Sequence, residues 1–270
     1  MASCLCAVTL AAPAEPRVPH LGDEGQAAYQ HYLTQVSHKA FAIAPGGAWA
    51  WKSDLMSVAQ AQTEALEACQ ATTRQKCVLY ASDERTVFNA QAWPLLWGPY
   101  ATTAQAAKVT LGTAPGQRMV DITYRDEQGH SVKLSSLKGK VVVLHFWGSW
   151  CPPCRQEMPE LVKLHQAMAD RKDVVFVLLQ IRESFETARR WAQNQQLALP
   201  LFDSGSRSPG DTRLQLADGT SMADRDIARS FPSSYVLDKQ GLVIFSQPGP
   251  VQDWLQYEAF LRDAAKRSGK

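Results

Sequence analysis

The sequence predicts an α/β protein: a central mixed sheet flanked by helices, preceded by a smaller α+β domain. Three observations carry this. VVVLHFW (residues 141–147) and VVFVLLQ (174–180) are nearly continuous apolar runs, as expected of central strands buried on both faces. An amphipathic segment follows each, the alternation of strand and helix that builds a covered sheet. The first hundred residues have a rhythm of their own. A stretch holding Pro and Gly and lacking a sustained pattern, residues 101–117, separates them from the rest.

At the start, residues 4–12 are apolar, and Ala12-Pro13-Ala14 offers small residues where a signal peptidase reads. No Lys or Arg precedes them, so residues 1–14 resemble an export signal that lacks its beginning. The alternatives are a mildly apolar tail, or a lipid anchor at Cys4. Export predicts a periplasmic location and an oxidising environment. It leaves four cysteines in two close pairs, Cys69 with Cys77 and Cys151 with Cys154.

Residues 20–105 form the first predicted domain. VSHKAFAIA reads as a strand ending at the turn Pro45-Gly46-Gly47, and AWAW follows it. SVAQAQTEALEACQA reads as a helix with Ser57 as N-cap and Val58, Ala61, Ala65, Leu66, Ala68 and Cys69 along its apolar side. CVLYA and VFNA are the next strands. Cys69 and Cys77 are expected to form a structural disulfide, the alternative being two buried thiols. Trp49, Trp51, Trp93 and Trp97 line either a binding face or a core. The segment resembles the small secreted DUF4189-like domains in its AFAIAPGGAWAW stretch, its Ala-rich helix with a Cys and its Cys-led strand.

After a linker over residues 106–117 comes the second domain, 118–270. MVDITY and SVKL make a hairpin about Gln128-Gly129, and the strand VVVLHFW follows. CPPCRQEMPELVKLHQAMADR is a helix with Met158, Leu161, Leu164 and Met168 on one stripe, in which Pro159 predicts a kink. VVFVLLQ leads to SFETARRWAQNQQL, a helix capped by Ser184. Residues 203–229 are polar and read as an inserted surface loop. SSYVLD and LVIFSQ form a hairpin across Lys239-Gln240-Gly241, and a helix over residues 252–267 closes the chain.

WCPPC between a buried strand and a helix, with FPSSYVLDKQG about 80 residues on, resembles the thioredoxin fold. The leading hairpin with LSSLKGK, the block FWGSWCPPCRQEMPEL and the PSSYVLD hairpin more closely resemble the exported TlpA/ResA-type thiol-disulfide oxidoreductases. The likeness covers roughly residues 118–265.

Chemistry points the same way. The thiolate is the reactive form of cysteine, and a helix N-terminus stabilises it through its dipole and free N–H groups. Cys151 at that position is the expected nucleophile, and Cys154, one turn on, the resolving thiol. Pro152 and Pro153 lack N–H groups, which leaves the Cys154 amide as the nearest donor and predicts modest stabilisation of the thiolate. His145 stands where the family carries Asp or Asn beneath the site. It either takes the Cys154 proton or is a satisfied core imidazole. Glu157 matches an acidic position of ResA-like proteins, the alternative being a solvated helix-face carboxylate. Pro232 matches the family's cis proline, with Phe231 before it free to pair with substrate, and Trp150 is expected to cover the site.

The resemblance implies no cofactor. It implies exported protein substrates with disulfides, of the cytochrome c maturation or metal-centre assembly type, and a membrane thiol relay as electron donor. A zinc or copper site at Cys151, Cys154 and His145 lacks the further ligands that four-coordinate zinc requires. The net charge of +2, from 28 basic and 26 acidic residues, provides no field to gather nucleic acid, and no apolar run is long enough for a transmembrane span. A protein-disulfide oxidant, or a non-catalytic adapter on this scaffold, remains open from the residues alone.

Overall fold

The computed structural model describes residues 17–267. The expectations for residues 1–14, including Cys4, lie outside the described residues.

The N-terminal unit opens with α1 (Asp23–Leu33), which the sequence reading did not anticipate. A four-stranded antiparallel sheet follows, built from β1 (Ala40–Ile43), β2 (Trp49–Lys52), β3 (Val78–Ser82) and β4 (Arg85–Thr86) in the order β2-β1-β3-β4. α2 (Val58–Gln70) packs on it, with the Ser57 hydroxyl accepting from the Gln60 amide as its cap. Small side chains allow that close approach: Ala40, Ala42 and Ala44 meet Ala61, Ala65 and Cys69 in one alanine-walled core. The strand expected over 87–90 is absent. Val87 still donates its amide to Tyr80, but Phe88 turns inward to pack against Tyr80 and Trp93. That packing leaves the ring partly buried against the core.

The stretch around residue 105 contains a short helix, α3 (Thr103–Ala106), closed by a capping box between Thr102 and Gln105. Then come the hairpin β5 (Thr123–Arg125) and β6 (Ser131–Lys133), and β7 (Val141–Trp147), α4 (Pro152–Ala167), β8 (Val174–Gln180), α5 (Phe185–Asn194) and β9 (Leu201–Phe202). The predicted surface loop over 203–229 instead contains a hairpin of β10 (Arg213–Gln215) and β11 (Ser221–Ala223), and the helical turn α6 (Asp224–Ile227). Its strands are three residues each, too short to show a period. They are held because Leu214, Ile227 and Ala228 are buried in the sheet's second core. β12 (Ser233–Leu237), β13 (Val243–Pro248) and α7 (Glu258–Arg267) complete the chain. The last helix starts later than expected, because Trp254 and Tyr257 first fold inward around a 3₁₀ turn.

The large sheet runs β13-β12-β7-β8-β9, with β7, β8 and β9 parallel and β12 and β13 antiparallel to their neighbours. Every residue of β7 is buried, and alternate side chains enter different cores. Val141, Val143 and Trp147 pack with α4, α5 and α7, whereas Val142, Leu144 and Phe146 face the β5–β6 hairpin and the 203–229 segment. Helices therefore cover the two faces unevenly: the long ones share one face, and the other carries two hairpins and α6.

The N-terminal unit is continuous with the helical face. His20 stacks on Tyr257 with ring centres 4.4 Å apart, Trp97 meets Phe260 edge-on, and Gln75 donates to the Ile244 carbonyl. Trp93 and Trp97 are core residues, while Trp49 and Trp51 are partly buried and packed against that core.

Candidate active site

The site lies where β7 ends and α4 begins. Cys151 is the N-cap of α4, in extended conformation, and its Sγ accepts the Cys154 amide at 3.3 Å. Pro152 and Pro153 occupy the first helical turn, where a missing N–H and a fixed φ are tolerated. They leave the Cys154 amide to hold the sulfur. The two cysteines form a disulfide, with Cα atoms 5.3 Å apart. α4 continues past Pro159 to Ala167.

Three segments frame the sulfur. The Phe231–Pro232 peptide bond is cis, and the Phe231 carbonyl oxygen lies 3.5 Å from Cys151 Sγ. Trp150, about half exposed, donates its indole N–H to the Ile181 carbonyl at 2.8 Å and meets Phe231 edge-on with ring centres 5.8 Å apart. Gly148 permits this: a Cβ there would sit 2.3 Å from the Trp150 indole nitrogen. Ser149 gives both its amide and its hydroxyl to the Glu183 carboxylate, tying the turn before the cysteines to the end of β8.

Beneath the cysteines lies a buried polar cluster. Glu157 is 3 % exposed, which excludes the solvated helix-face carboxylate considered from sequence. One oxygen accepts the Val251 amide at 2.7 Å. The other is 3.3 Å from His145 Nε2, but the alignment falls short of a full hydrogen bond. His145 Nδ1 lies 2.9 Å from the Ser234 hydroxyl, because the register of β12 on β7 sets Ser234 directly opposite His145. Burial pushes the Glu157 carboxyl up to about 8, against the pull of the Val251 amide, and drives His145 down to about 3. Both groups are thus favoured in their neutral forms.

The chemistry of the pair follows. With Glu157 ionised, Nε2–H faces the carboxylate and Ser234 donates to Nδ1. With Glu157 protonated, the carboxyl faces a bare Nε2 and Nδ1–H turns to Ser234. A carboxyl one helical turn from Cys154, held near neutrality and with one oxygen lacking a full hydrogen bond, is suited to accept and return a proton.

The sequence singled out Cys151, Cys154, His145, Glu157, Trp150, Phe231 and Pro232; the fold sets Cys154, Phe231 and Pro232 at the Cys151 sulfur, Trp150 against Phe231, and His145 against Glu157 one helical turn past Cys154. Cys69 and Cys77 are bonded elsewhere, between the end of α2 and the start of β3. Sequence reasoning missed Ser234, the Ser149–Glu183 tie and two arginines against Phe231. For Ser234 the signal was the paired Ser233-Ser234 after Pro232, but choosing between two serines requires the strand register.

A model of the AhpC/TSA family matches residues 115–246. The thioredoxin-like protein YneN of Bacillus subtilis is 33 % identical over 148 residues, which cover 54 % of this chain and 77 % of that protein. The thiol-disulfide oxidoreductase ResA of Halalkalibacterium halodurans is 25 % identical over 143 residues, 53 % of this chain and 73 % of that one. Among solved structures, a thioredoxin-family thiol:disulfide interchange protein from Chlorobium tepidum aligns with TM-score 0.41 and 21 % identity, covering 56 % of this chain and 98 % of the other. The residues that the family model matches include the cysteine pair, and the chain belongs to the AhpC/TSA family of thioredoxin-like proteins as a thiol-disulfide oxidoreductase.

Proposed function

We propose that the protein reduces disulfides of exported proteins in the periplasm, using Cys151 as nucleophile and Cys154 as resolving thiol. The observation that carries the reading is Cys151 Sγ at the start of α4, held by the Cys154 amide above a buried, proton-ready Glu157. The Cys69–Cys77 disulfide and the signal-like start support an oxidising compartment.

In the reduced chain the Cys151 thiolate attacks one sulfur of a substrate disulfide. That bond breaks, a mixed disulfide forms, and the released substrate thiolate takes a proton. With Glu157 in its ionised form, Cys154 then passes its proton to that carboxylate and attacks Cys151 Sγ. The internal disulfide forms, and the second substrate sulfur leaves on the face away from Cys154 and takes its proton from solvent, while Glu157 later returns its own proton to solvent. The substrate gains two electrons and two protons, and the chain ends as the disulfide; a membrane thiol relay returns the dithiol state. His145, held by Ser234, orients Glu157 and lets it exist with or without its proton. Pro232 and Phe231 bound the surface over which a substrate strand lies, and Trp150 covers its other side. The cytochrome c maturation and metal-centre assembly classes are the substrates this reading favours.

The test is a Cys154→Ser trap in the full chain. The variant is expected to accumulate Cys151-linked mixed disulfides with exported proteins, which dithiothreitol releases. Capture of nothing would favour an adapter, and a reduction potential well above that of the glutathione couple would favour an oxidant.

A further inference from the structure

The edge of the site across from Trp150 is basic, and the segment between β9 and β12 supplies it. α6 sets the exposed Arg225 guanidinium 4.6 Å from the centre of the Phe231 ring, a cation–π contact. Arg182 also lies over this ring, at 5.6 Å, but both oxygens of Asp224 bind it, at 2.6 and 2.9 Å, so its charge is answered within the fold. Arg225 differs. It donates to the backbone carbonyl of Arg229, a neutral acceptor, and among the described residues no carboxylate forms an ion pair with Arg225 or Arg229. Arg229 is exposed as well. Asp226 is an exposed acid on the same turn, but adjacent helical positions do not share a face, and only the arginine is recorded against the ring.

The place of Phe231 makes this charge relevant to chemistry. Its carbonyl oxygen is 3.5 Å from Cys151 Sγ, so a chain that lies across the Phe231 ring at that sulfur also lies beside Arg225. Lysine here would be a poorer choice, since a planar guanidinium can stack on the ring and still offer N–H groups to a carboxylate.

We propose that Arg225, with Arg229 beside it, selects disulfide substrates that carry acidic residues next to the reacting cysteine. This rests on the exchange activity proposed above and adds its substrate class. An exposed guanidinium at the rim acts mainly on encounter and discrimination, and it is screened by salt. Because arginine stays charged, the preference holds across about pH 6 to 9 even where the overall rate changes.

The test uses the full chain in its dithiol form and three oxidants. Two are peptide disulfides identical except for an Asp-Asp or a Lys-Lys pair flanking one cysteine; the third is uncharged 2-hydroxyethyl disulfide. The native chain is expected to reduce the acidic peptide about five-fold faster than the basic one at low ionic strength, with the ratio falling toward one as salt is added. Arg225→Glu is expected to abolish or invert the ratio while leaving the rate with 2-hydroxyethyl disulfide unchanged. Equal rates for the two peptides, or a preference that survives Arg225→Glu, overturn the inference and leave the exchange activity standing. Loss of the 2-hydroxyethyl disulfide reaction in Arg225→Glu also overturns it, because the arginine would then act on the cysteines and not on the substrate. Failure of the native chain with all three oxidants removes both readings.

Discussion

The two disulfides of this protein sit at opposite ends of helices. Cys69 lies in the last turn of α2 and is joined to Cys77 just before β3; Cys151 is the N-cap of α4 and is joined to Cys154. Burial does not separate them, since all four cysteines are nearly inaccessible. Electrostatics does. A helix C-terminus presents carbonyl oxygens and the negative end of the dipole, which disfavours a thiolate; an N-terminus presents N–H groups and the positive end, which favours one. Cys69 and Cys77 are walled by alanines. Cys151 and Cys154 sit above Glu157 and His145 and beside Phe231. In the function proposed above, the same covalent bond serves as a clamp in one place and as a redox couple in the other because of what the surrounding backbone and side chains do to the sulfur.

The contrast is broken most directly by removing each cysteine pair's bond in turn. Cys151→Ser is expected to abolish disulfide reduction entirely, whereas the double variant Cys69→Ala/Cys77→Ala, assayed below its unfolding temperature, keeps the native rate. Equal losses in the two would erase the distinction between the pairs.

A second effect concerns the proton. Glu157→Gln is expected to slow thiol release from a preformed Cys151 mixed disulfide by about 10²-fold and to flatten its rise with pH toward about 8. Stopped-flow measurement of that single step separates it from the ionisation of Cys151. Stability carries the same signature with a fixed sign. Glu157 is raised from 4.5 to about 8 in the fold, so the stability it lends is complete below about 4.5 and is lost as pH rises through about 8. His145 is lowered from 6.5 to about 3, so its contribution is present above 6.5 and is lost as pH falls through about 3. Urea midpoints of the oxidised native chain are therefore expected to decline between about pH 5 and pH 8, and those of Glu157→Gln to lose that decline.

The smallest effect belongs to the clamp. Opening the short loop between Cys69 and Cys77 is expected to cost about 2–3 kcal/mol of stability, read as a lower denaturant midpoint at constant slope. A cost near zero would mean that the alanine core holds this loop unaided.

Much of the active-site unit could be read in advance because its signals are local. WCPPC after a buried apolar run sets strand, turn and helix start together, and the prolines in the first turn leave the Cys154 amide as the sulfur's donor. Other elements escaped because their order comes from contacts distant in sequence. α1, DEGQAAYQHYL, has a Gly inside and little apolar periodicity; it is held by Tyr32 reaching the Asp83 carbonyl and by ring contacts with Phe41. The 203–229 segment looked like a loop because Leu214 and Ile227 are isolated among polar neighbours, and only the sheet's second face gives them a place to be buried.

What the sequence determined by itself was the local frame of the cysteine pair: two cysteines one helical turn apart, at the start of a helix, with a buried strand feeding them. Tertiary structure decided which groups tune that chemistry. The register that sets Ser234 against His145, the packing that buries Glu157 beneath the cysteines, and the turn that lays Arg225 on Phe231 all join residues dozens of positions apart or in an unpatterned segment. Short-range periodicity encodes which face of an element is apolar; it does not encode the partner that face meets, and the pKa of a buried group depends on that partner.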